Sequence, residues 1–273
     1  MSRILASAAA EARIALRNRW VAIVVGLMAV FSLVLSAAGS TPTGVLGADR
    51  LSVTVASLTS LAVYLVPLVA LLMSFDAVAG EVERGTLPLV LTYPVSRAEL
   101  LLGKFVAHLA ILTLAMAVGY GLAAAAALAV DPEALAGLPA LFRLFWSSLL
   151  LGAAFLAAGY AVSALARRPG AAAGMAIGLW LGLIVLWDLG LLAAVVSDDG
   201  GAFTTHVFPW LLLGNPADAF RLYNLAASEA TAAAAGVGGA AAAIPPLQAL
   251  ASVLLWPLVA LGLAVAAFRR VTP

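Results

Sequence analysis

The sequence predicts an all-α integral membrane protein with six transmembrane helices. Of its 273 residues, 64% are hydrophobic and only 10% are charged, a balance that a soluble core does not require and that is typical of membrane proteins. A helix needs about 20 mostly apolar residues to cross the ~30 Å hydrocarbon layer of a bilayer. Stretches of that length lie at 20–38, 52–75, 105–130, 143–166, 171–196 and 248–268. We expect them to form one membrane domain over residues 1–273.

The distribution of positive charge predicts the orientation of these spans. Cytoplasmic connections of membrane proteins carry an excess of Lys and Arg. With the N-terminus inside, eleven of these residues face the cytoplasm and three face the outside. The eleven are Arg3, Arg13, Arg17, Arg19, Arg84, Arg97, Lys104, Arg167, Arg168, Arg269 and Arg270; the three are Arg50, Arg143 and Arg221. Both termini and the connections 76–104 and 167–170 are therefore predicted to be cytoplasmic, and 197–247 is the longest external connection.

Composition also argues against several classes of function. The chain has no cysteine, so disulfides, thiolate metal sites and cysteine nucleophiles are excluded. Its arginines are split into small groups between apolar spans, which does not indicate nucleic-acid binding. Copper needs several soft or imidazole ligands, but His206 stands alone and the methionines at 28, 73, 116 and 175 form no spaced cluster. We expect no metal site in this chain.

The N-terminal residues predict an amphipathic helix at the membrane surface. Arg13, Arg17 and Arg19 come directly before Trp20 and the first apolar span, an arrangement typical of a helix that lies in the interface before the chain turns inward. The small residues at 36–38 resemble a signal-peptidase site, but the 20 residues before the apolar stretch are long for the charged start of a signal peptide. We expect the first span to be retained.

The cytoplasmic segment 76–104 contains the start of the third long helix. Ser96 is followed three positions later by Glu99, which is the capping-box pattern at a helix N-terminus. A helix from about Arg97 to Ala129 has 33 residues and a length of roughly 50 Å. Because this exceeds the thickness of the hydrocarbon layer, its first turns are predicted to project into the cytoplasm.

A short apolar helix is predicted at 87–93 in the same segment. Thr86 is placed to cap it, Pro88 fits its first turn and Pro94 ends it. Charged residues flank it on both sides, which favours a plug for a groove on a partner protein; the alternative is a helix that rests in the lipid interface. Catalysis by Glu81 and Glu83 is not favoured, because side chains two positions apart on a helix point to different sides.

The external segment 197–247 predicts a second site of interaction. Asn215 followed by Pro216 is typical of a helix start, and Gly236 of a stop after about Ala235. Aromatic residues make the segment amphipathic; they are Phe203, Phe208, Trp210, Phe220 and Tyr223. Two interpretations remain open: a platform for an extracytoplasmic partner, or helices that only cap the bundle.

Asp188 is predicted to lie inside the fifth span. It is ~25 Å along the helix from residue 171, in the outer third of the membrane, where a carboxylate is costly and faces the bundle interior. Depth on neighbouring spans selects candidate hydrogen-bond partners, which are Thr59, Ser60, Tyr120, Ser147, Ser148 and Ser252. A structural hydrogen bond is favoured over a gating or ion role. His108 is too far in depth to be the partner and is expected to be a satisfied interfacial histidine.

Three motifs carry a resemblance to the permeases of the ABC-2 type. The first is Glu81-x-Glu83-x-Gly85-Thr86-Leu87, then Leu91-x-x-Pro94-x-Ser96-Arg97-x-Glu99-Leu100, then Gly103-Lys104. The other two are Arg17-Asn18-Arg19-Trp20 and Asn215-Pro216-Ala217-Asp218-x-x-Arg221-Leu222-x-Asn224-Leu225. The fuller forms Phe75-Asp76-Ala77-Val78-x-Gly80-Glu81 and Thr92-Tyr93-Pro94 look in particular like the permeases of the Nos system, which matures the copper sites of nitrous oxide reductase.

This resemblance implies a permease dimer in the bacterial inner membrane. Two copies of the chain would each receive a cytoplasmic ABC ATPase subunit, and a β-helical copper-handling protein would dock outside. The residues implied at the ATPase contact are Glu81, Glu83, Arg84, Gly85, Thr86, Leu87, Pro94, Arg97, Glu99, Lys104, Arg167 and Arg168; those implied at the external contact are Phe208, Trp210, Asn215, Pro216, Asp218, Arg221 and Asn224. ATP and Mg would belong to the partner, since the chain has no Gly-rich phosphate loop with Lys-Ser/Thr. The chain itself is not expected to be an enzyme.

Two alternative functions are kept. An ABC-2 exporter of a drug, lipid or polysaccharide would share the same spans and the same cytoplasmic segment. An ion-coupled secondary transporter would need several ionisable groups inside the membrane, and at most Asp188 and His108 qualify.

Overall fold

The computed structural model describes residues 3–16, 19–38, 50–166, 168–225 and 244–272, and these residues form helices joined by short turns, with no strand among them. The helices are α1 Arg3–Leu16, α2 Arg19–Ala38, α3 Arg50–Ser74, α4 Ala79–Glu83, α5 Leu87–Val90, α6 Arg97–Val130, α7 Leu138–Leu165, α8 Pro169–Trp180, α9 Trp187–Asp198, α10 Phe208–Gly214, α11 Pro216–Leu225 and α12 Pro246–Arg269. A 3-10 turn, Pro132–Gly137, precedes α7, and a π-helical turn, Leu181–Leu186, joins α8 to α9. The predicted all-α class agrees with this architecture.

Five helical stretches within the described residues are long and apolar enough to cross a membrane. They are Leu51–Glu83, Arg97–Val130, Ala134–Leu165, Pro169–Asp198 and Pro246–Arg269. Each one contains most of a predicted span and extends beyond it at one end or both. A shorter apolar stretch, Val25–Val34, lies within α2, so the remaining span, the first at 20–38, stays a prediction.

Helix α7 lies at the centre of the bundle. It packs against α3 on one side and α12 on another, while α6 carries α1 and α2. Its inward-facing residues are large and fully buried, among them Leu144, Phe155 and Tyr160. Close approach of α1 to α6 depends on Gly103, because a Cβ there would lie 2.5 Å from the side chain of Ser7. The N-terminal helix α1 is therefore packed onto the start of α6, and its place at the membrane surface stays a prediction.

The candidate span Pro169–Asp198, which contains the fifth of the six predicted spans, is almost bare within one copy of the chain. Only 11% of an apolar 18-residue stretch of this span is buried within the chain, compared with 67% of such a stretch in Ala134–Leu165. Large apolar side chains project from it along most of its length, among them Ile177, Leu186, Leu192 and Val196. Lipid or another protein helix must cover this surface in a membrane.

Two polar contacts identify the opposite ends of the bundle. Ser163, near the end of α7, bonds the turn before α4, whereas Ser147, near its beginning, bonds Asn224 of α11. The 16 positions between the two serines correspond to ~24 Å along a helix. We call the end near Ser163, which includes segment 76–104, the predicted cytoplasmic end. The end near Ser147, which includes α11, is the predicted external end.

Candidate functional site

The start of α6 has the geometry that the sequence predicts. The Ser96 hydroxyl accepts a bond from the Glu99 backbone N–H, and the Glu99 carboxylate accepts one from the Ser96 N–H at 2.8 Å, so both halves of the capping box are present. The helix runs for 34 residues to Val130, a length of roughly 51 Å. This length exceeds the ~30 Å hydrocarbon layer, and the projection of its first turns into the cytoplasm stays a prediction.

Helix α5 is shorter than predicted and begins differently. It covers Leu87–Val90 instead of 87–93, and Thr86 makes no side-chain cap. The prediction of a Thr86 cap is wrong because its backbone is helical, with φ −85° and ψ −23°, whereas a capping residue is extended. Its hydroxyl instead donates to the Glu81 carbonyl at 3.3 Å. Gly85 has φ 65°, which favours glycine at the turn between α4 and α5.

An apolar surface flanked by charge projects from this turn. Leu87 is fully buried and anchors α5, whereas Leu89 is 66% exposed and Tyr93 is 68% exposed. Glu83 and Arg84 are exposed beside them. We call these four exposed residues, Glu83, Arg84, Leu89 and Tyr93, the α5 surface. A soluble protein seldom exposes such side chains together unless a partner or lipid covers them.

Ser163 fastens the backbone behind the α5 surface. Its hydroxyl oxygen accepts bonds from the Val78 N–H at 2.9 Å and the Ala79 N–H at 3.0 Å. All three residues are buried, and unpaired N–H groups in such a place are costly. Movement of α4 must therefore move the end of α7 or break these bonds.

Lys104 fastens the same segment through charge. Its ammonium lies 2.8 Å from a Glu81 carboxylate oxygen and 2.9 Å from one of Glu11, and its side chain is only 7% exposed. Three helices meet at this cation, namely α1, α4 and α6. Glu81 and Lys104 belong to one predicted contact set, whereas Glu11, one helical turn after the Ser7 that faces Gly103, was not predicted. The Lys104 ammonium is turned inward and not towards a partner.

Polar contacts of His108 connect the group formed by Glu11, Glu81 and Lys104 to the interior of the bundle. The Tyr160 hydroxyl lies 2.6 Å from His108 Nδ1, and Nε2 of the same ring is 3.9 Å from Glu11. The two rings also stack, with centroids 5.9 Å apart. The expectation that His108 is a satisfied histidine is confirmed.

Arg97 links the start of α6 to the C-terminal end of α12. Its guanidinium donates to the Phe268 carbonyl at 3.1 Å and to the Val271 carbonyl, and it lies over the Phe268 ring. Arg168 is exposed just before α8, and Arg167 lies outside the described residues. Several members of the predicted contact set thus have structural partners within the chain, namely Glu81, Arg84, Arg97, Glu99 and Lys104.

At the predicted external end, α11 starts where the sequence predicts. The Asn215 side-chain oxygen accepts a bond from the Ala217 N–H at 2.9 Å, and Pro216 is the first helical residue. The described part of the helix ends at Leu225. The predicted continuation to Ala235 and the stop at Gly236 lie outside the described residues.

The polar residues of α11 face the bundle. Asn215 donates to the Leu183 carbonyl in the π-helical turn at 2.6 Å, and Asn224 donates to the Ser147 hydroxyl at 2.9 Å. Together with Pro216 and Asp218 they are buried, so their side chains form no surface on which a partner could dock. Trp210 on the preceding helix is exposed. A docking role for this end stays a prediction and depends on Trp210 and its partly buried neighbour Phe208.

Asp188 pairs with Arg221 of α11. The Arg221 guanidinium lies 3.1 Å from an Asp188 oxygen and 3.3 Å from an Asp218 oxygen. The hydrogen-bond partners predicted for Asp188 from depth in the membrane are wrong. Only residues of the spans were compared for depth, whereas Arg221 belongs to α11, which packs between the ends of the spans. Tyr120 and Ser148, for example, bond each other at 3.1 Å. Burial, and then the nearby Asp188 carboxylate, raise the pKa of Asp218 to about 7.

Comparison with known proteins identifies a matching family and similar permeases. A family model described as "ABC-2 family transporter protein" matches residues 5–272. The chain is 47% identical over 262 residues to the probable ABC transporter permease protein NosY of Pseudomonas aeruginosa, across 93% of this chain and 94% of that protein. It is 44% identical over 259 residues to the protein of the same description from Stutzerimonas stutzeri, with the same two coverages.

Proposed function

The chain belongs to the ABC-2 family of transporter proteins as a permease subunit, and from this premise we propose that it couples ATP hydrolysis by a separate cytoplasmic ATPase to rearrangement of a membrane dimer. The observation that carries the proposal is the α5 surface. An apolar, charge-flanked projection of this size suits insertion into a groove of a partner, and the chain holds it rigidly from behind. Resting in the lipid interface is the alternative for the same residues.

Two connections would pass movement of α5 to the bundle. The first leads from α4 through Glu81 and Lys104 to α6 and α1. The second leads from the turn at Val78 through Ser163 to α7, which packs against α3 and α12. A push on α5 by an ATPase would therefore reach most helices of the bundle without needing a flexible joint. Lys104 and Glu81 act in this scheme as internal links, while Glu83, Arg84, Leu89 and Tyr93 form the contact.

We also propose that the bare fifth span, Pro169–Asp198, meets a second copy of the chain. The side chains of Asp188, which lies on this span, and of its partner Arg221 are 31% and 25% exposed. Charged groups that face lipid inside a membrane are costly, and they are normally turned to a protein interior or a water-filled cavity. A symmetric contact with a second copy would cover both the apolar side chains and this ion pair.

For the cellular process we propose copper-site assembly of nitrous oxide reductase. Support comes from the motifs shared with Nos permeases and from the two relatives named NosY. In this proposal an extracytoplasmic copper-handling protein of β-helical fold receives the movement at the external end, near Trp210. Copper would be handled by that partner, and the chain would bind neither ATP nor Mg.

Two measurements test these proposals separately. Affinity purification of the tagged chain from its own cells is expected to recover an ABC ATPase in equal amount, and its absence would contradict the coupling function. In cells that lack this chain, nitrous oxide reductase is expected to lose its copper. If the ATPase is recovered but the reductase keeps a full complement of copper, the copper proposal is wrong and an ABC-2 exporter of another substrate is favoured.

A further inference from the structure

The ion cluster at the predicted external end has one negative charge more than it can balance. Asp188 of α9 and Asp218 of α11 both pair with Arg221, so two carboxylates and one guanidinium sum to −1. Asp218 is only 2% exposed. An uncompensated charge in such a buried place is strongly destabilising, and the usual remedy is for one group to become neutral.

A missing hydrogen-bond donor marks the same place. Among the described residues, the buried Oδ2 atom of Asp218 has no hydrogen-bond partner, and the Asp188 carboxylate is nearby, since both carboxylates contact the same Arg221 guanidinium. Two ionised carboxylates only accept hydrogen bonds and repel each other. One proton placed between them supplies the donor and brings the net charge of the cluster to zero.

We propose that Asp188 and Asp218 together bind a single proton beside Arg221, and that this proton keeps α11 seated against the fifth span. Burial and the neighbouring carboxylate both act in this direction, since they raise the pKa of Asp218 to about 7. Loss of the proton restores the charge of −1 between α9 and α11. The seating of α11 therefore depends on the pH of the compartment at this end of the bundle.

Among the described side chains, other charged groups near α11 do not supply the missing charge. The helices packed against it include α3, α7, α10 and α12. Arg143 of α7 is a cation at this end, but it interacts with Tyr223 and is not among the groups that act on Asp218. Asp188 and Arg221 are the groups whose charges act on Asp218. The side chain of Arg50, at the start of α3, lies outside the described residues.

Thermal unfolding of the full chain in lipid nanodiscs tests the site. A carboxyl whose folded-state pKa is raised stabilises the fold most at low pH, and this contribution is lost as pH rises from about 4 to about 7. Relative to Asp218→Asn, whose amide stands for the protonated acid, the wild-type Tm is expected to fall by on the order of 5 °C over this interval and to stay level above it. Asp188→Asn should abolish the same step, because Asp218 and Arg221 then balance.

A control and a direct probe make the result decisive. Asp76→Asn removes a half-exposed carboxylate at the opposite end and should keep the wild-type step. Difference infrared spectra of the wild type should show a protonated carboxyl band at pH 6 that disappears at pH 9 and is missing in Asp188→Asn. Absence of that band at pH 6 would overturn the proposal even if the variants fail to fold. The same Tm measurement at constant pH compares sodium buffer with choline buffer. If the Tm changes with sodium concentration, the site binds a metal cation and the proposal is overturned.

The absence of cysteine in the chain allows a test of the seating itself. Leu222 of α11 is buried and Trp210 is exposed, so maleimide labelling of Leu222→Cys is measured relative to Trp210→Cys. The ratio is expected to rise at least several-fold between pH 6 and pH 8.5 and to stay constant when Asp218→Asn is added. A constant ratio without Asp218→Asn would show that the proton does not hold the helix.

Discussion

The two ends of the bundle carry similar sequence signals but use them differently. Both have a polar motif beside a capped helix between two spans. At the predicted cytoplasmic end, Leu89 and Tyr93 are exposed on the surface, whereas Glu81 and Lys104 pair with each other behind them. At the predicted external end, Asn215, Asp218 and Asn224 are all buried. A polar motif between spans therefore indicates a structured junction, and only side-chain exposure separates a contact surface from an internal joint.

The difference has a physical origin in how the two short helices pack. The start of α6 holds α4 through Lys104 and Glu81, and Leu89 of the following α5 is left exposed. Helix α11 instead packs between α3, α7 and α12. Its polar side chains then have to find partners within the bundle, because buried groups without hydrogen bonds are costly.

The largest expected effect comes from removing the cation beneath α5. Lys104→Met leaves Glu11 and Glu81 close together without their ammonium, and breaking a buried ion pair on one side costs about 3–5 kcal/mol of unfolding free energy. Denaturation in detergent is the measurement. The matched control is Arg84→Met, because the Arg84 pair with Asp76 is exposed and should contribute less than about 1 kcal/mol. Equal losses in the two variants would contradict the role given to Lys104 as an internal link.

Ser163→Ala probes the second link of the cytoplasmic end. Two buried N–H groups, of Val78 and Ala79, lose their acceptor, and the expected loss of stability is about 2–3 kcal/mol. Ser60→Ala is the control, since its hydroxyl only bonds a carbonyl of its own helix on an exposed side; we expect a change within about 0.5 kcal/mol. A Ser163→Ala protein as stable as this control would show that the turn before α4 is not held by α7.

Asn224→Ala tests the claim that the external motif serves packing. The change removes bonds to the Ser147 hydroxyl and the Phe220 carbonyl, and we expect a loss of about 1–2 kcal/mol in the same denaturation assay. A residue of a docking surface would instead leave stability unchanged and weaken binding of the external partner. That second pattern would remove the contrast between the two ends.

Local signals explain which features could be predicted from the sequence. The Ser96 and Asn215 caps depend on residues within three positions of each other, so the starts of α6 and α11 were predictable. The Lys104–Glu11 pair joins residues 93 positions apart and the Arg221–Asp188 pair joins residues 33 positions apart. Neither separation leaves a trace in local spacing, since both depend on how helices pack. Thr86 failed as a cap for a different, local reason: its backbone is helical, and both its N–H and its hydroxyl donate to the Glu81 carbonyl.

Leu89→Glu is expected to have the smallest effect on stability and the largest effect on ATPase binding. Leu89 is exposed and makes the tip of α5 apolar, so Leu89→Glu should change the unfolding free energy by less than about 0.5 kcal/mol. Leu247, at the other end of the molecule, is 74% exposed and offers the same substitution as a matched control. If α5 only rests on lipid, neither change should alter binding to an ATPase.

The affinity of the purified chain for its ATPase subunit is the most direct test of the α5 surface. Titration in detergent of the wild type, Leu89→Glu and Leu247→Glu compares one chemical change at the two ends. We predict at least a tenfold weaker Kd for Leu89→Glu and a wild-type Kd for Leu247→Glu. A Leu89→Glu protein that binds the ATPase as tightly as the wild type would contradict the assignment of this surface.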